Sequence, residues 1–495
     1  MRGDRGICAG GHPLTAEAGA NVLREGGNAV DAALAAMLMS WVSEPLLTGP
    51  GAGGYLLVAG AGVEPALIDF FVAAPGAGRS PSAARGDLEA VEVSFGDAVQ
   101  VFHVGAASCG AYGSPAGVVA ASERWGSVPL EQLAAPAARA ARDGVVLNHE
   151  QAYVFTILDG ILRSSESARA EFAPGGAVLR EGETFRSPEL AETIERLAAD
   201  GAAPFYSGDI ADAVVAFLEA DGGVLTHEDL RSYAAIDRAP VRVGYRGRDV
   251  LTNPPPSAGG TLLGLALALL DRTDGPPEID EVVAVMEAAQ EQRTAEFLEG
   301  LAVPGFADDF LASRLGSTTH ISTVDSDGLA CSVTCTNGEG CGRVVPGTGI
   351  HVNNIMGEED LSPLGFHTAP PGRRMPSMMA PTAVLGGDGE LELVLGSAGS
   401  NRIRSAILQT IVGVVDHGLS AAEAVGAPRA HLENNVVYAE PGVPVDRLRS
   451  SGHEIVGFRE PNLFFGGVQA IARDARTGLL SGAGDPRRGG AAAAA

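Results

Sequence analysis

The chain contains no lysine; all 34 of its Lys+Arg side chains are arginine. No Schiff base to pyridoxal phosphate can form, and no P-loop lysine exists to grip a nucleotide. Positive charge is scarce in general. The formal net charge is −27, and a surface this acidic repels nucleic-acid backbones and anionic lipid. Aromatic residues make up only 5% of the chain, and its apolar 45% is mainly Leu, Val and Ala, enough for a large core. The five cysteines, Cys8, Cys109, Cys331, Cys335 and Cys341, make no secretory disulfide pattern. The last three are spaced C-x3-C and C-x5-C without a second pair, so they are expected to be small buried strand residues and no metal is expected. No G-x-S-x-G nucleophile elbow occurs. The start of the chain has no signal-type apolar core, and Ala29–Val42 is short and carries Asp31, so no membrane span and a cytoplasmic location are expected.

What is present reads as two unlike halves. The first mixes helices and strands. Helices are expected at Leu14–Arg24, at Ala29–Val42 capped by Asn28, at Leu130–Asp143, Ser187–Ala199 and Gly208–Glu219. Thr226 and Asp229 resemble a capping box. The glycine-rich turn Gly49–Gly54 leads into a strand at Tyr55–Ala59, and the rigid loop Asn253–Gly260 into a helix at Thr261–Leu270. After Ser317 strands dominate. Residues from Thr318 alternate towards a turn at Asp325–Gly328, and Leu329–Thr336 returns. Strands at Ala383–Leu385 and Leu391–Leu395, a turn at Gly396–Ser400 and a helix at Arg402–Val415 follow. The tail from Gly489 to Ala495 is low in complexity and is expected to fray.

The hairpin returns Thr336 beside Thr318, so a second hydroxyl can orient the first. The turn ending in Gly399 and Ser400 opens a helix, and its backbone N–H groups can face a developing oxyanion. A threonine hydroxyl needs a base, and no histidine is obviously placed to serve. An N-terminal threonine supplies its own α-amine, whose ordinary pKa of about 7.7–8.0 suits neutral pH. That amine exists only if the Ser317–Thr318 bond is cut.

Ser317–Gly328 resembles the small-subunit start of γ-glutamyltranspeptidases, and weaker blocks follow in family order along nearly the whole chain. They include Gly26–Ala33, Ile68–Phe70, Pro115–Val118, Phe205–Gly208, Pro254–Gly260, Asn353-Asn354, Ser377, Gly396–Ile403, Ala427–Arg429 and Asp485–Arg487. The resemblance implies an α+β, four-layer αββα N-terminal-nucleophile hydrolase fold with two stacked, mainly antiparallel sheets. It also implies autocleavage into a large subunit, 1–317, and a small subunit, 318–495, intertwined in one structural domain. Thr318 would be the nucleophile, Thr336 its supporting hydroxyl, and Gly399 and Ser400 the oxyanion-hole donors, with no cofactor.

The substrate-binding positions depart from the family. Phe71 stands where an arginine meets the substrate α-carboxylate, and it either packs against an apolar substrate portion or fills the space. Ser377-Met378 replaces a Ser-Ser pair, and Asn353-Asn354-Ile355 replaces Asn-Asn-Gln. Glu358 aligns with the amine-binding acid, and the family's asparagine after Thr336 corresponds to Asn337. Arg343, Arg373, Arg374 and Arg402 are candidates to compensate. Three functions stay open: a γ-glutamyl-type acyltransferase or hydrolase; a cytoplasmic amidohydrolase or C–C hydrolase on a small oxo-acid or oxalyl-type substrate; and an uncleaved binding protein. In the first two the partner is a small amide or acyl compound.

Overall fold

The computed structural model describes residues 5–80, 83–94, 99–291, 318–361, 365–433, 435–449 and 452–495. Ser317 and the short stretch Pro304–Ser313, whose sequence is permissive for cleavage, lie outside the described residues.

Thirteen strands build two sheets: β1 Gly6–Gly10, β2 Gly53–Gly60, β3 Ala66–Phe70, β4 Ile236–Arg238, β5 Val241–Tyr245, β6 Arg248–Thr252, β7 Thr319–Asp325, β8 Leu329–Thr336, β9 Thr382–Leu385, β10 Leu391–Ala398, β11 Gly467–Arg473, β12 Leu480–Gly484 and β13 Ala491–Ala494. The first sheet runs β13-β1-β7-β8-β2-β3-β4 and the second β12-β11-β10-β9-β6-β5. Every pairing in both is antiparallel.

Helices close the outer faces. Against the first sheet lie α1 (Pro13–Arg24) and α2 (Ala29–Ser43), with α3 (Leu130–Asp143) packed on α2 and α4 (Pro188–Asp200) on α3. All fifteen residues of α2 are buried, and its Asn28–Asp31 capping box closes its first turn. Its Val30, Leu34, Leu38 and Trp41 share one core with Leu56, Ile68, Ile321 and Val333 of the sheet. Each such apolar side chain contributes about 1.5–3 kcal/mol when fully buried. Against the second sheet lie α5 (Ala258–Leu270) and α7 (Arg402–Val415), with α6 (Ile279–Glu291) packed on α5, in one core with Val384, Leu393 and Val394. The same core continues between the sheets through Ile7, Leu57 and Val324. The layers are therefore helix, sheet, sheet, helix, the expected α+β arrangement.

Period-two alternation sorts β7. Ile321 and the Thr323 hydroxyl, which donates to Ala29 O at 2.7 Å, face α2. His320, Ser322 and Val324 face the second sheet; Ser322 Oγ donates to Gln469 O at 3.1 Å. The turn at Asp325–Gly328 is as expected, with Gly328 at φ 84° and its N–H on Asp325 O.

Four expectations change. The tail is not frayed: Ala491–Ala494 forms β13 and pairs with β1 from Gly10 to Ile7, because alanine fits a strand when a partner edge is present. Helix α5 starts at Ala258 rather than Thr261, since Ser377 O accepts the Ala258 and Gly259 N–H groups. Gly396 and Ser397 belong to β10, and only Gly399–Asn401 turn. Cys331 and Cys335 are buried strand residues, whereas Cys341 is buried in a loop.

Candidate active site

The β7–β8 ladder pairs Thr319 with Cys335, so the next position outward sets Thr318 opposite Thr336. Thr336 is also paired with Gly53 of β2. Both threonines are buried. Thr336 Oγ1 accepts the Gly338 N–H at 2.8 Å, which fixes its rotamer. Thr318 continues the parity of His320, so its side chain belongs to the face turned to the second sheet.

Strand β10 brings the turn to the same end. Ser332, paired with Ser322, donates to Leu395 O at 3.1 Å, and the His320 ring lies against Gly396. Rising residue numbers on β10 thus run towards Thr318, and Gly399 and Ser400 follow there. Gly399 has φ 114°, and Ser400 is one of few non-glycine residues at positive φ, 59°. That left-handed conformation costs a side-chain-bearing residue of order 1–2 kcal/mol. Among the described residues neither N–H has an acceptor, so both remain for a ligand.

His320 supplies no base. Its Nδ1 is 2.8 Å from Thr334 Oγ1 and its Nε2 3.0 Å from Ser322 Oγ, so both nitrogens are engaged. Burial pushes its pKa down to about 3. Next to it, Thr319 Oγ1 donates at 2.6 Å to the buried carboxyl of Glu44, which also accepts from Thr15 Oγ1 at 2.9 Å. Burial raises the Glu44 pKa, and the two hydroxyls oppose that shift. The sequence reading missed Glu44; a lone Glu at a helix end carries no signal of a partner 275 residues away.

The expected substrate residues form two groups. Asn337, Asn354 and Glu358 converge: Asn354 N donates to Asn337 O at 3.2 Å, and Asn354 Oδ1 accepts the Glu339 N–H at 3.0 Å. Gly338, at φ 61°, runs so close that a Cβ there would meet Asn354 Oδ1 at 2.0 Å and Glu358 Oε1 at 2.6 Å. Asn337 Nδ2 donates to His351 O at 3.1 Å, leaving Asn337 Oδ1 and Asn354 Nδ2 buried without partners. Phe71, Ser377 and Met378 form the other group. The Met375 N–H donates to Val72 O at 3.0 Å, which lays the segment before Ser377 beside Phe71. Ser377 Oγ accepts the Met379 N–H at 3.0 Å, and Met378 is fully buried.

Phe71 fills space. It is 1% exposed and stacks on Tyr55, with ring centroids 5.7 Å apart. The Tyr233 hydroxyl donates to its carbonyl at 2.7 Å. Two of the four candidate arginines are held by carboxylates, and a third donates to a backbone carbonyl. Arg343 pairs with Asp221 at 2.5 Å, Arg374 with the buried Asp69 at 3.3 Å, and Arg402 Nε donates to Phe464 O at 2.9 Å. The Arg373 side chain is half-buried. Among the described residues no cluster of His, Cys, Asp or Glu could hold a metal ion.

The four-layer fold, with two stacked antiparallel sheets between helices, is that of the N-terminal-nucleophile hydrolase class of enzymes. Within that class the chain belongs to the γ-glutamyltranspeptidase family, whose model, described as gamma-glutamyltranspeptidase, matches residues 15–304 and 302–495. It is 31% identical to a glutathione hydrolase proenzyme of Escherichia coli over 98% of this chain and 91% of that protein. It is also 31% identical to an acylase ACY 1 proenzyme of Pseudomonas sp., over 97% of this chain and 92% of that protein. A solved cephalosporin acylase from Bacillus halodurans superposes with TM-score 0.84 at 27% identity, covering 100% of this chain and 96% of that one. The chain is accordingly an enzyme of a family of hydrolases and acyltransferases.

Proposed function

We propose that the chain is a proenzyme that opens its own Ser317–Thr318 peptide bond, giving a large subunit, 1–317, and a small subunit, 318–495. Thr318 is then the nucleophile. Its Oγ1 attacks the donor carbonyl carbon, the proton passes to its own α-amine, and the oxyanion forms against the N–H groups of Gly399 and Ser400. Collapse breaks the bond to the leaving group, which takes that proton, and an acyl ester on Thr318 remains. Water, or an acceptor amine, releases the acyl group by the same steps in reverse. The observation that carries this reading is the ladder position of Thr318 opposite Thr336, at the end of β10 where the turn begins.

The donor is a small amide or acyl compound. Asn337, Asn354 and Glu358 line one side of its site and Ser377 and Met378 the other. Phe71, packed on Tyr55, favours a second reading within the same chemistry: hydrolysis of an amide or C–C bond in a small oxo-acid-type substrate rather than transfer of γ-glutamyl groups. An aromatic ring cannot make the paired hydrogen bonds that an arginine gives a carboxylate.

Peptide mapping after incubation with γ-glutamyl 4-nitroanilide and succinyl 4-nitroanilide tests the mechanism. The expected result is an acyl adduct on the N-terminal threonine of the small fragment, absent in Thr318→Ala. Turnover that persists in Thr318→Ala would overturn it, and binding of either compound without cleavage or adduct would support the uncleaved binding protein instead.

A further inference from the structure

Arg488 closes the short 3-10 turn Pro486–Arg488 after β12 and reaches back across the start of β11; a Cβ on Gly467 would stand 2.4 Å from its Cδ. Its guanidinium ends at the oxyanion turn, where a Cβ on Gly399 would stand 3.5 Å from Nη2. Nη2 donates to Leu463 O at 3.2 Å, while Nε is closed off from solvent with no acceptor.

Its neighbours in sequence and charge are committed differently. Arg487 is held by Glu440 at 2.6 Å and Asp485 at 3.2 Å, and Arg429 by Asp485 at 2.7 Å. Arg488 forms no ion pair among the described residues. Burial pushes its pKa down to about 10, and the nearby Arg402 adds to that, while Asp485, Glu339 and Glu44 oppose it from beyond contact. Arg402 and Arg488 donate to adjacent carbonyls, Phe464 O and Leu463 O, so their guanidinium groups stand together at the first turn of α7. Arg488 is half-buried, its Nε is shut off from solvent, and a cation so placed without an ion pair is relieved by an anion that reaches it.

We propose that Arg488, beside Arg402, forms an anion subsite at the Gly399–Ser400 turn that receives a carboxylate carried by the acyl donor a few bonds from the attacked carbonyl. This rests on the threonine acyl-enzyme reading above and names its substrate class: the half-amide of a short dicarboxylic or oxo-acid. A guanidinium holds a carboxylate at about 2.8 Å. Because this one abuts the turn where the carbonyl oxygen binds, the two acceptor groups of the substrate sit close together.

Acetyl, malonyl and succinyl 4-nitroanilides, which differ in the presence and reach of one carboxylate, test the proposal on the matured protein. Wild type is expected to show kcat/KM at least tenfold higher for malonyl or succinyl than for acetyl anilide. In Arg488→Gln that ratio should fall to near one, and Arg488→Lys should keep part of it. Intact mass shows whether each variant has matured, and the ratio is internal to each preparation, so lower stability alone does not move it. A ratio near one in wild type, or one unchanged in Arg488→Gln, overturns the proposal while leaving the acyl-enzyme reading in place. Absence of both turnover and adduct with all three anilides overturns both.

Discussion

Thr318 and Thr336 face each other one position beyond the last laddered pair of β7 and β8, Thr319 and Cys335. Thr318, the proposed nucleophile, therefore stands at the end of a rigid ladder, and the Thr336 hydroxyl is held by the Gly338 N–H at 2.8 Å. Thr336→Val removes the oxygen and keeps the shape. It should lower kcat at least tenfold, a change of about 1.4 kcal/mol in barrier, with KM little altered. Thr336→Ser should stay within a few-fold of wild type. Steady-state kinetics on the matured enzyme checks both.

Phe71→Ala should destabilise the protein by about 3–5 kcal/mol, the usual cost of emptying a buried aromatic site. The basis is its 1% exposure and its stacking on Tyr55. Thermal and denaturant unfolding measure it. A cost under about 1 kcal/mol would mean that Phe71 is a substrate-facing ring with room around it.

Two sequence blocks that are uninformative singly turn out to be one structural unit. Arg429 of Ala427–Arg429 and Asp485 of Asp485–Arg487 meet in a buried ion pair at 2.7 Å, and Asp485 Oδ2 also accepts the Val468 N–H at 2.8 Å. Asp485→Asn leaves two buried arginines short of a counter-charge and should cost about 3–5 kcal/mol. Because the pair anchors the turn that carries Arg488, lowered yield of folded protein should accompany it. Expression level and unfolding midpoint report both.

Acid should weaken the fold in a defined window. His320 has its pKa lowered to about 3, and His12 and His351 theirs to about 4, each chiefly through burial. Below about pH 6.5 the unfolded chain takes up protons that these folded-state histidines refuse, so their contribution to stability is complete above that pH. It is lost progressively as pH falls towards 4 and then 3. Each contributes a slope of at most about 1.4 kcal/mol per pH unit. His320→Asn should flatten the stability curve between pH 6 and 3 by about one proton's worth, measurable by denaturant titration at several pH values.

The helices, the hairpin and the threonine pair were legible because each is local or follows from ladder arithmetic. Asn28 caps α2 as its spacing suggests, and the turn at Asp325–Gly328 alone fixes Thr336 against Thr318. What stayed hidden is long-range. Glu44 meets Thr319 across 275 residues of sequence. The alanine tail reads as fraying until β1 is known to offer an edge for it. The arginines looked interchangeable in sequence, whereas burial and partners separate the committed Arg343 and Arg374 from Arg488 at the turn. The stacking of Phe71 on Tyr55 is likewise announced by no local pattern.

The most direct measurement is intact mass spectrometry of freshly purified wild-type protein beside Thr318→Ala. Two fragments that divide the wild-type chain between residues 317 and 318, with Thr318→Ala left whole and inactive, are the predicted result. A wild-type preparation that turns over acyl substrates while its chain stays unbroken would contradict the account, because Thr318 would then have no free amine to take its proton.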